Sequence, residues 1–322
     1  MKNNTAKNSL VLGVDLGGTK TETSLVNETG YILVSHSIPT QPEKGPDRII
    51  DSIIESVNIC LYKANQSAQF LGIGIAGQIE KDTGIVRFSP NLDWHNIPLQ
   101  AKLEDKLALP VIVTNDVRAA TYGEWLYGAG QGINDLICLF VGTGVGGGIV
   151  SNGKLLEGCN NTSGEFGHMT IVSNGRQCHC RNQGCLEAYA GGWAIRERAQ
   201  EIVHNEPKAG ELLLALAGST ENISAATVTE AYMNGDPLAQ RIVEDTAQFL
   251  AAGLVGVINA FNPCLVILGG GVIQGLPKYI SLVQHIVHSR ALETALKGLH
   301  IVPAALGNKA GVIGAAAFAR HR

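Results

Sequence analysis

Glycine in this chain is concentrated in short clusters that directly follow apolar runs of strand length. The most closely spaced of the 39 glycines lie at 17–18, 142–148, 191–192 and 269–271. Clustered glycine indicates a backbone that turns sharply or approaches a ligand closely, because no side chain stands in the way. Two of the clusters are followed by a second strand pattern, so the chain is expected to build two glycine-bearing β-hairpins.

The first of these turns is Asp15-Leu-Gly-Gly-Thr-Lys20. The freed backbone N–H groups of Gly17 and Gly18 suit phosphate oxygens, and Thr19 adds a hydroxyl donor, so the site is expected to run from Gly17 to Lys20. Asp15 would hold Mg²⁺ through water, because Mg²⁺ keeps part of its hydration shell. Taken alone, an ordinary hairpin turn explains the segment equally well.

The second turn, Gly142-Thr143-Gly144, opens a formal G-x-G-x-x-G match, as does Gly72–Gly77. A dinucleotide fingerprint must open a helix, whereas a hairpin follows the first match and a loop follows the second. The chain also has no G-x-x-x-x-G-K-[ST], which excludes a P-loop. The three glycine turns fit a different design, in which two hairpins grip a triphosphate and a third turn around Gly270 lies beneath the adenosine.

The periodicity predicts an α/β protein with a coarse internal repeat. Residues 10–127 give the order β-β-β-α-β-α-β-α, with a helix over 47–63, a long loop from Gly77 to Trp94 and a helix over 117–127. The second half begins with a strand over 136–141 and resumes as a strand at Ile149. A helix is expected from Asp236-Pro237 to Asn262-Pro263, where an N-cap precedes proline at the first helical position, and another over 310–319.

Three polar motifs carry further chemistry. Asn115-Asp116 follows a strand, where α/β folds place ligands, although such a pair is more often a turn or helix cap. Gly164-Glu165-Phe166-Gly167-His168 precedes a segment that runs from Cys178 to Glu187. His168, Cys178, Cys180 and Cys185 have the soft-ligand chemistry and the number of donors of a tetrahedral zinc site. Because one ring nitrogen of His168 would bind the metal, the other is free to face a ligand.

Together, from about Leu10 to Ala319, these motifs resemble the ROK family within the actin/hexokinase/sugar-kinase superfamily. The resemblance implies a two-lobed, actin-like ATPase (ribonuclease H-like) fold with duplicated β-hairpin phosphate sites. It implies a small α/β lobe of residues 1–117 and 309–322. It also implies a large α/β lobe of residues 118–308 that carries the zinc site and the oligomer interface.

The resemblance also implies roles for residues. Asp116 would be the catalytic base that takes the proton of the attacking sugar hydroxyl. The groups expected to bind the sugar are Gly77, Asn91, Asn115, Asp116, Glu165, His168 and Glu187. The groups expected to bind ATP and Mg²⁺ are Asp15, Gly17, Gly18, Thr19, Lys20, Gly142, Thr143, Gly144 and Gly270. His179 and Arg181 stand where the family often has glycine. Neither change removes a zinc ligand, but both are expected to strain the tight loop, and His179 is a further candidate ligand.

The expected function is ATP-dependent phosphorylation of a hexose at its 6-hydroxyl in the cytoplasm, with glucose the first choice. N-acetylmannosamine, N-acetylglucosamine, fructose and allose kinases are similar alternatives.

A sugar-responsive repressor is disfavoured, because only about nine residues precede Leu10 and the net charge is −4. No nucleic-acid or membrane partner is expected, since the longest apolar stretch, 249–260, is shorter than a span of about 18 residues. Charged residues make up only 16%, which suggests surface buried in a homodimer or homotetramer.

Overall fold

The computed structural model describes residues 10–276 and 278–322. Contacts divide the chain into two compact units. The first comprises the described residues up to Gly132, Leu155–Ser163 and Ala305–Arg322, and the second comprises Ile133–Lys154 and Gly164–Ala304. Three stretches of the expected large lobe, residues 118–132, 155–163 and 305–308, belong to the first unit.

Both units contain strands and helices. The strands are β1 (Val11–Leu16), β2 (Lys20–Val26), β3 (Ile32–Pro39), β4 (Leu71–Ile75), β5 (Gln78–Ile79), β6 (Val86–Ser89), β7 (Trp94–Ile97), β8 (Val111–Asn115), β9 (Leu136–Val141), β10 (Val145–Ser151), β11 (Lys154–Leu155), β12 (Leu265–Gly269) and β13 (His300–Pro303). The helices are α1 (Gly45–Ala64), α2 (Leu99–Leu107), α3 (Asp116–Tyr127), α4 (Glu187–Ala190), α5 (Gly192–Asn205), α6 (Glu211–Ala217), α7 (Ala225–Met233), α8 (Pro237–Phe261), α9 (Gly271–Gly275), α10 (Tyr279–Arg290), α11 (Glu293–Leu296) and α12 (Ala310–Arg320).

The main sheet of the first unit has the order β3-β2-β1-β4-β8. The first three strands form antiparallel hairpins, whereas β4 and β8 run parallel to β1. Helix α1 buries Ile49, Ile50, Ile53 and Val57, the apolar positions whose spacing predicted it. These side chains pack in one core with the buried residues of the sheet. The parallel strands bring the carboxyl ends of β1, β4 and β8 to one edge.

A three-stranded sheet of β5, β6 and β7 stands where a long loop was expected. Its strands are two to four residues long and bury few side chains, among them Ile79, Val86 and Trp94. So few buried positions give no clear alternation of apolar and polar residues. The strands are held by main-chain pairing, which the sequence pattern does not reveal.

The second unit repeats the plan of a hairpin followed by parallel strands, in the order β11-β10-β9-β12-β13. The hairpin β9–β10 is antiparallel, and β12 pairs in parallel with both β9 and β13. Strand β10 begins at Val145, four residues earlier than expected, because Gly146, Gly147 and Gly148 pair with β9 despite their low strand propensity. The α/β class and the duplicated hairpins are therefore confirmed.

Helix α8 runs through the core of the second unit. Its ends are as expected: the side chain of Asp236 accepts the Ala239 N–H at 2.7 Å, proline follows at the first position, and Asn262 is left-handed with φ 47°. By length and composition this helix could cross a membrane. No uninterrupted apolar run in it, however, reaches the roughly 18 residues of a membrane span. In the structure 56% of its most apolar window is buried, a pattern that the core helix of a folded unit also gives.

Candidate active site

The residues expected to bind ligands fall into two sets, one in each unit. The first unit carries Asp15, Gly17, Gly18, Thr19, Lys20, Gly77, Asn91, Asn115 and Asp116. The second carries Gly142, Thr143, Gly144, Glu165, His168, Cys178, Cys180, Cys185, Glu187 and Gly270.

Two carboxyl groups lie at the carboxyl edge of the first sheet. Asp15 is near the end of β1, and Asp116 is the first residue of α3, directly after β8. Desolvation of the half-buried Asp15, the charge of Asp116 and the charge of Glu22 together raise the pKa of Asp15 to about 7. Such a site favours a proton or a cation at Asp15, as expected for a carboxylate that works beside a metal and phosphates.

Asn115 both caps a helix and lines this edge. Its side-chain oxygen accepts the N–H of Arg118 at 3.0 Å, and its amide nitrogen donates to the carbonyl of Gly77 at 3.4 Å. A side-chain amide has two acceptor sites and two N–H donors, so one of each remains for a ligand. The capping role and the proposed ligand role are therefore compatible.

The turn after β1 is closed on itself and lies against Asn91. The Gly17 N–H donates to the carbonyl of Lys20 at 3.1 Å, and the hydroxyl of Thr40 donates to the carbonyl of Gly17 at 2.7 Å. A Cβ on Gly18 would lie 3.1 Å from the Cβ of Asn91. Glycine at position 18 therefore allows close contact between the turn and Asn91, which are expected to bind different ligands.

Glu22, on the strand that follows this turn, lies between two lysines, and no motif in the sequence singles it out. Its carboxylate accepts hydrogen bonds from Lys20 at 3.0 Å and from Lys309. Burial alone would favour the neutral acid, but these hydrogen bonds lower the pKa of Glu22. Lys309, 287 residues away in sequence, is thereby anchored next to the expected phosphate turn.

The turn of the second unit is held by the start of α5. The N–H groups of Gly192 and Trp193 donate to the carbonyls of Gly142 and Thr143, at 2.9 and 3.0 Å. The Gly191-Gly192 cluster therefore serves this close packing of a helix on the turn. Gly270 lies directly after β12 with φ 93°, which favours glycine at that position.

Glu187, the first residue of α4, touches the same turn. One carboxylate oxygen accepts the Val145 N–H at 2.8 Å, and the other accepts the indole N–H of Trp193 at 3.3 Å. A Cβ on Gly144 would lie 2.3 Å from the first oxygen. The second unit thus places an expected sugar ligand, Glu187, directly against an expected phosphate turn.

The expected zinc ligands come together. The ligand atoms of His168, Cys178, Cys180 and Cys185 all lie within 4.8 Å of one another. The sulfurs of Cys180 and Cys185 are 3.6 Å apart, and Nδ1 of His168 is 3.8 Å from the Cys178 sulfur. A tetrahedral zinc ion about 2.3 Å from each sulfur separates two sulfurs by about 3.8 Å, so the donor set and its spacing fit zinc. Since Nδ1 faces the cysteines, Nε2 of the exposed His168 is the nitrogen left for another partner.

The two departures from glycine in the zinc loop have different outcomes. Arg181 has φ 76°, a left-handed conformation that strains a residue with a side chain. His179 is outside the four-residue donor group. Its ring stacks on Trp193, with centroids 4.1 Å apart and planes at 25°.

A buried arginine forms a contact that the sequence did not reveal. The Arg118 guanidinium donates to both the side-chain and the main-chain oxygen of Asn161, and the Asn161 amide donates to the carbonyl of Ile79 at 3.0 Å. These bonds fix the segment Leu155–Ser163, which ends just before Gly164-Glu165, onto the first unit. No sequence pattern pairs positions 118 and 161, because their 43-residue separation has no local periodicity.

Comparisons with known proteins agree with this description. Residues 11–322 match the model of the ROK family. A glucokinase of Streptomyces coelicolor is 37% identical over 318 residues, covering 97% of this chain and 98% of that protein. The crystal structure of a ROK family glucokinase from Streptomyces griseus in complex with glucose and AMPPNP is 36% identical. It matches with a TM-score of 0.86 over 98% of this chain and 100% of that chain.

More distant relatives include repressors. The xylose repressor of Bacillus subtilis is 30% identical over 308 residues, which cover 94% of this chain and 75% of that protein. The structural likeness over nearly the whole chain confirms the expected two-lobed, actin-like fold class.

Proposed function

The chain belongs to the ROK family, and on that premise we propose that it transfers the γ-phosphoryl group of ATP to the 6-hydroxyl of a hexose, with glucose preferred. The observation that carries the proposal is the pairing of Asp15 and Asp116 at one sheet edge, beside the turn from Gly17 to Lys20. Phosphoryl transfer requires mainly positioning and charge stabilisation, with one carboxylate to orient the nucleophile. Asp116 is that carboxylate and Asp15 belongs to the nucleotide side.

In the first unit, Asp116 accepts the proton of the sugar hydroxyl as its oxygen attacks the γ-phosphorus. Asn115 and Asn91 hydrogen-bond the sugar, using the donor and acceptor that Asn115 retains after capping α3. The N–H groups of Gly17 and Gly18 and the side chains of Thr19 and Lys20 bind phosphate oxygens. Mg²⁺ carried in with the nucleotide, held through water by Asp15, would neutralise phosphate charge.

In the second unit, the N–H groups of Gly142, Thr143 and Gly144 bind phosphate, and the turn at Gly270 leaves room for the nucleoside. Glu165, Nε2 of His168 and Glu187 bind sugar hydroxyls. His168, Cys178, Cys180 and Cys185 hold a structural zinc ion, with no open position for water. The zinc ion would stabilise the loop and keep His168 and the neighbouring carboxylates in position.

Several carboxylate and amide groups at the expected sugar site suit a ring with many hydroxyls, which favours glucose over N-acetylated sugars. The relatives named glucokinase support the same choice. The xylose repressors share much of the same body, but they are more distant and no described feature favours that function over catalysis. A cytoplasmic homodimer or homotetramer, without nucleic-acid or membrane partners, completes the proposal.

A coupled assay of ADP release with ATP and a panel of hexoses and N-acetylhexosamines tests this proposal. Glucose is expected to give the highest kcat/KM, because sites built for hydroxyl groups discriminate against analogues that leave buried polar groups unpaired. A higher kcat/KM for N-acetylmannosamine, N-acetylglucosamine, fructose or allose would overturn the choice of glucose. Release of no ADP with any sugar would overturn the kinase assignment itself.

A further inference from the structure

The carboxylate of Glu187 is oriented by two donors from different elements. Val145, the first residue of β10, holds one oxygen through its backbone N–H, and Trp193 holds the other through its indole N–H. A carboxylate has about four acceptor sites, so roughly two remain for hydroxyl groups of a ligand. With both donors present the plane of the carboxylate is fixed; with one removed, the group can rotate about its last bond.

The indole that supplies one of these donors is itself held on its face. Trp193 is 7% exposed, and its backbone N–H is bonded to the carbonyl of Thr143. The exposed imidazole of His179 stacks on the indole at 4.1 Å. His179 lies between Cys178 and Cys180 but outside the donor group that fits a metal. A chain of three side chains thus runs from the cysteine loop through Trp193 to Glu187.

We propose that Trp193 is a positioning residue for the Glu187 carboxylate and that His179 holds the indole in place for this role. The inference rests on the proposed function, in which Glu187 binds a sugar hydroxyl. It assigns the cysteine loop a second route to the sugar site, through ring stacking, in addition to its metal. It also gives a reason for a bulky ring at position 179, between two metal ligands.

Packing of the indole among Cys178, Cys185, Ala188 and Tyr189 is the competing explanation for Trp193. Trp193→Phe separates the two explanations, because phenylalanine keeps an aromatic ring in the same place but removes the N–H donor. Losing a hydrogen bond to a charged group is expected to weaken glucose binding about tenfold. The KM for ATP and the Tm are expected to change little. Trp125→Phe, in the first unit, is the matched control and should leave glucose affinity unchanged.

His179→Ala tests the second link by calorimetric titration with glucose and by zinc per chain. Weaker glucose binding with unchanged zinc content is expected, because the ring is not a ligand. Combined with Trp193→Phe, the effect should be less than the sum of the two single effects, since both substitutions act through the same hydrogen bond. Loss of zinc in His179→Ala would make the residue a metal ligand and would overturn this link.

Tryptophan fluorescence gives a readout independent of turnover. Glucose binding should change the emission of the wild-type protein and of Trp125→Phe, but much less that of Trp193→Phe, because Glu187 joins the indole to the sugar. Glucose affinity in Trp193→Phe within about twofold of wild type overturns the inference while the kinase assignment stands. A wild-type protein that neither binds nor phosphorylates glucose overturns the proposed function, and the inference with it.

Discussion

The charge of Asp116 acts on Asp15 across the carboxyl edge of the first sheet. The two residues are brought there by parallel pairing, since β1 pairs with β4 and β4 with β8, so that Leu16 is opposite Ile75 and Ile75 opposite Asn115. Desolvation and this repulsion raise the pKa of Asp15 to about 7. In the ligand-free fold Asp15 therefore favours a proton or a cation.

The stability of the ligand-free protein is expected to fall as the pH rises from about 4 to about 7 because of Asp15. The pKa is 3.8 when the group is unperturbed and about 7 in the fold, so in this range the native state binds more protons than the unfolded state. The unfolding free energy therefore decreases with pH, by about 1.4 kcal/mol for each unit of pKa shift, and the loss is complete above the native pKa. Asp15→Asn should remove this contribution. Urea denaturation of both proteins across this range measures it, and identical pH slopes would contradict it.

Asp116→Asn should abolish most turnover while glucose still binds. The amide cannot accept the proton of the attacking hydroxyl, and losing a general base typically costs about 10²–10⁴-fold in rate. Stopped-flow or steady-state assays give kcat, and calorimetry gives glucose affinity. A control, Asp93→Asn, changes an exposed carboxylate on the loop between β6 and β7 and should leave kcat intact. Near-normal kcat in Asp116→Asn would show that another group serves as the base.

Glu124→Ala should destabilise the first unit by about 2–4 kcal/mol. The buried carboxylate accepts the N–H groups of Ala129 at 3.0 Å, Ala305 at 3.0 Å and Leu306 at 2.7 Å, which ties the start of the C-terminal segment to α3. Alanine leaves these donors without an acceptor. Glu55→Ala is the control, since Glu55 is 61% exposed in a surface pair with Arg48, where about 0–1 kcal/mol is expected. Equal losses of unfolding free energy in the two variants would refute the structural role of Glu124.

Local patterns were sufficient to predict the elements that position the site. Strand periodicity and glycine clusters predicted both hairpins, and the spacing of His168 with the three cysteines predicted a donor group that the structure brings together. These features depend on residues close in sequence. The roles of the individual site residues stay predictions, because they rest on the family resemblance and on placement.

Contacts between distant positions were not predictable. Arg118 meets Asn161, and Lys309 meets Glu22, at separations of 43 and 287 residues. Nothing in the neighbourhood of either residue encodes its partner, since only the fold brings them together. The sheet of β5, β6 and β7 was missed for a different reason: its short strands depend on main-chain pairing rather than on an amphipathic pattern.

The cysteine loop gives the last prediction, which links metal content to sugar affinity. Cys180→Ser replaces a soft sulfur ligand by a hydroxyl that zinc binds poorly, so zinc per chain should fall, as measured by elemental analysis. Burial raises the pKa of the Cys185 thiol, so a cation is needed to hold this ligand as a thiolate. Glu165 lies three residues before His168 and Glu187 two after Cys185, and misplacing groups in a site can cost about 10²-fold in rate. Glucose affinity and kcat should therefore fall together, with much less effect on ATP binding.

Cys264→Ser, at another exposed cysteine of the same unit, should change none of these quantities. A Cys180→Ser protein with no zinc and unchanged glucose affinity would show that the metal does not organise the sugar site.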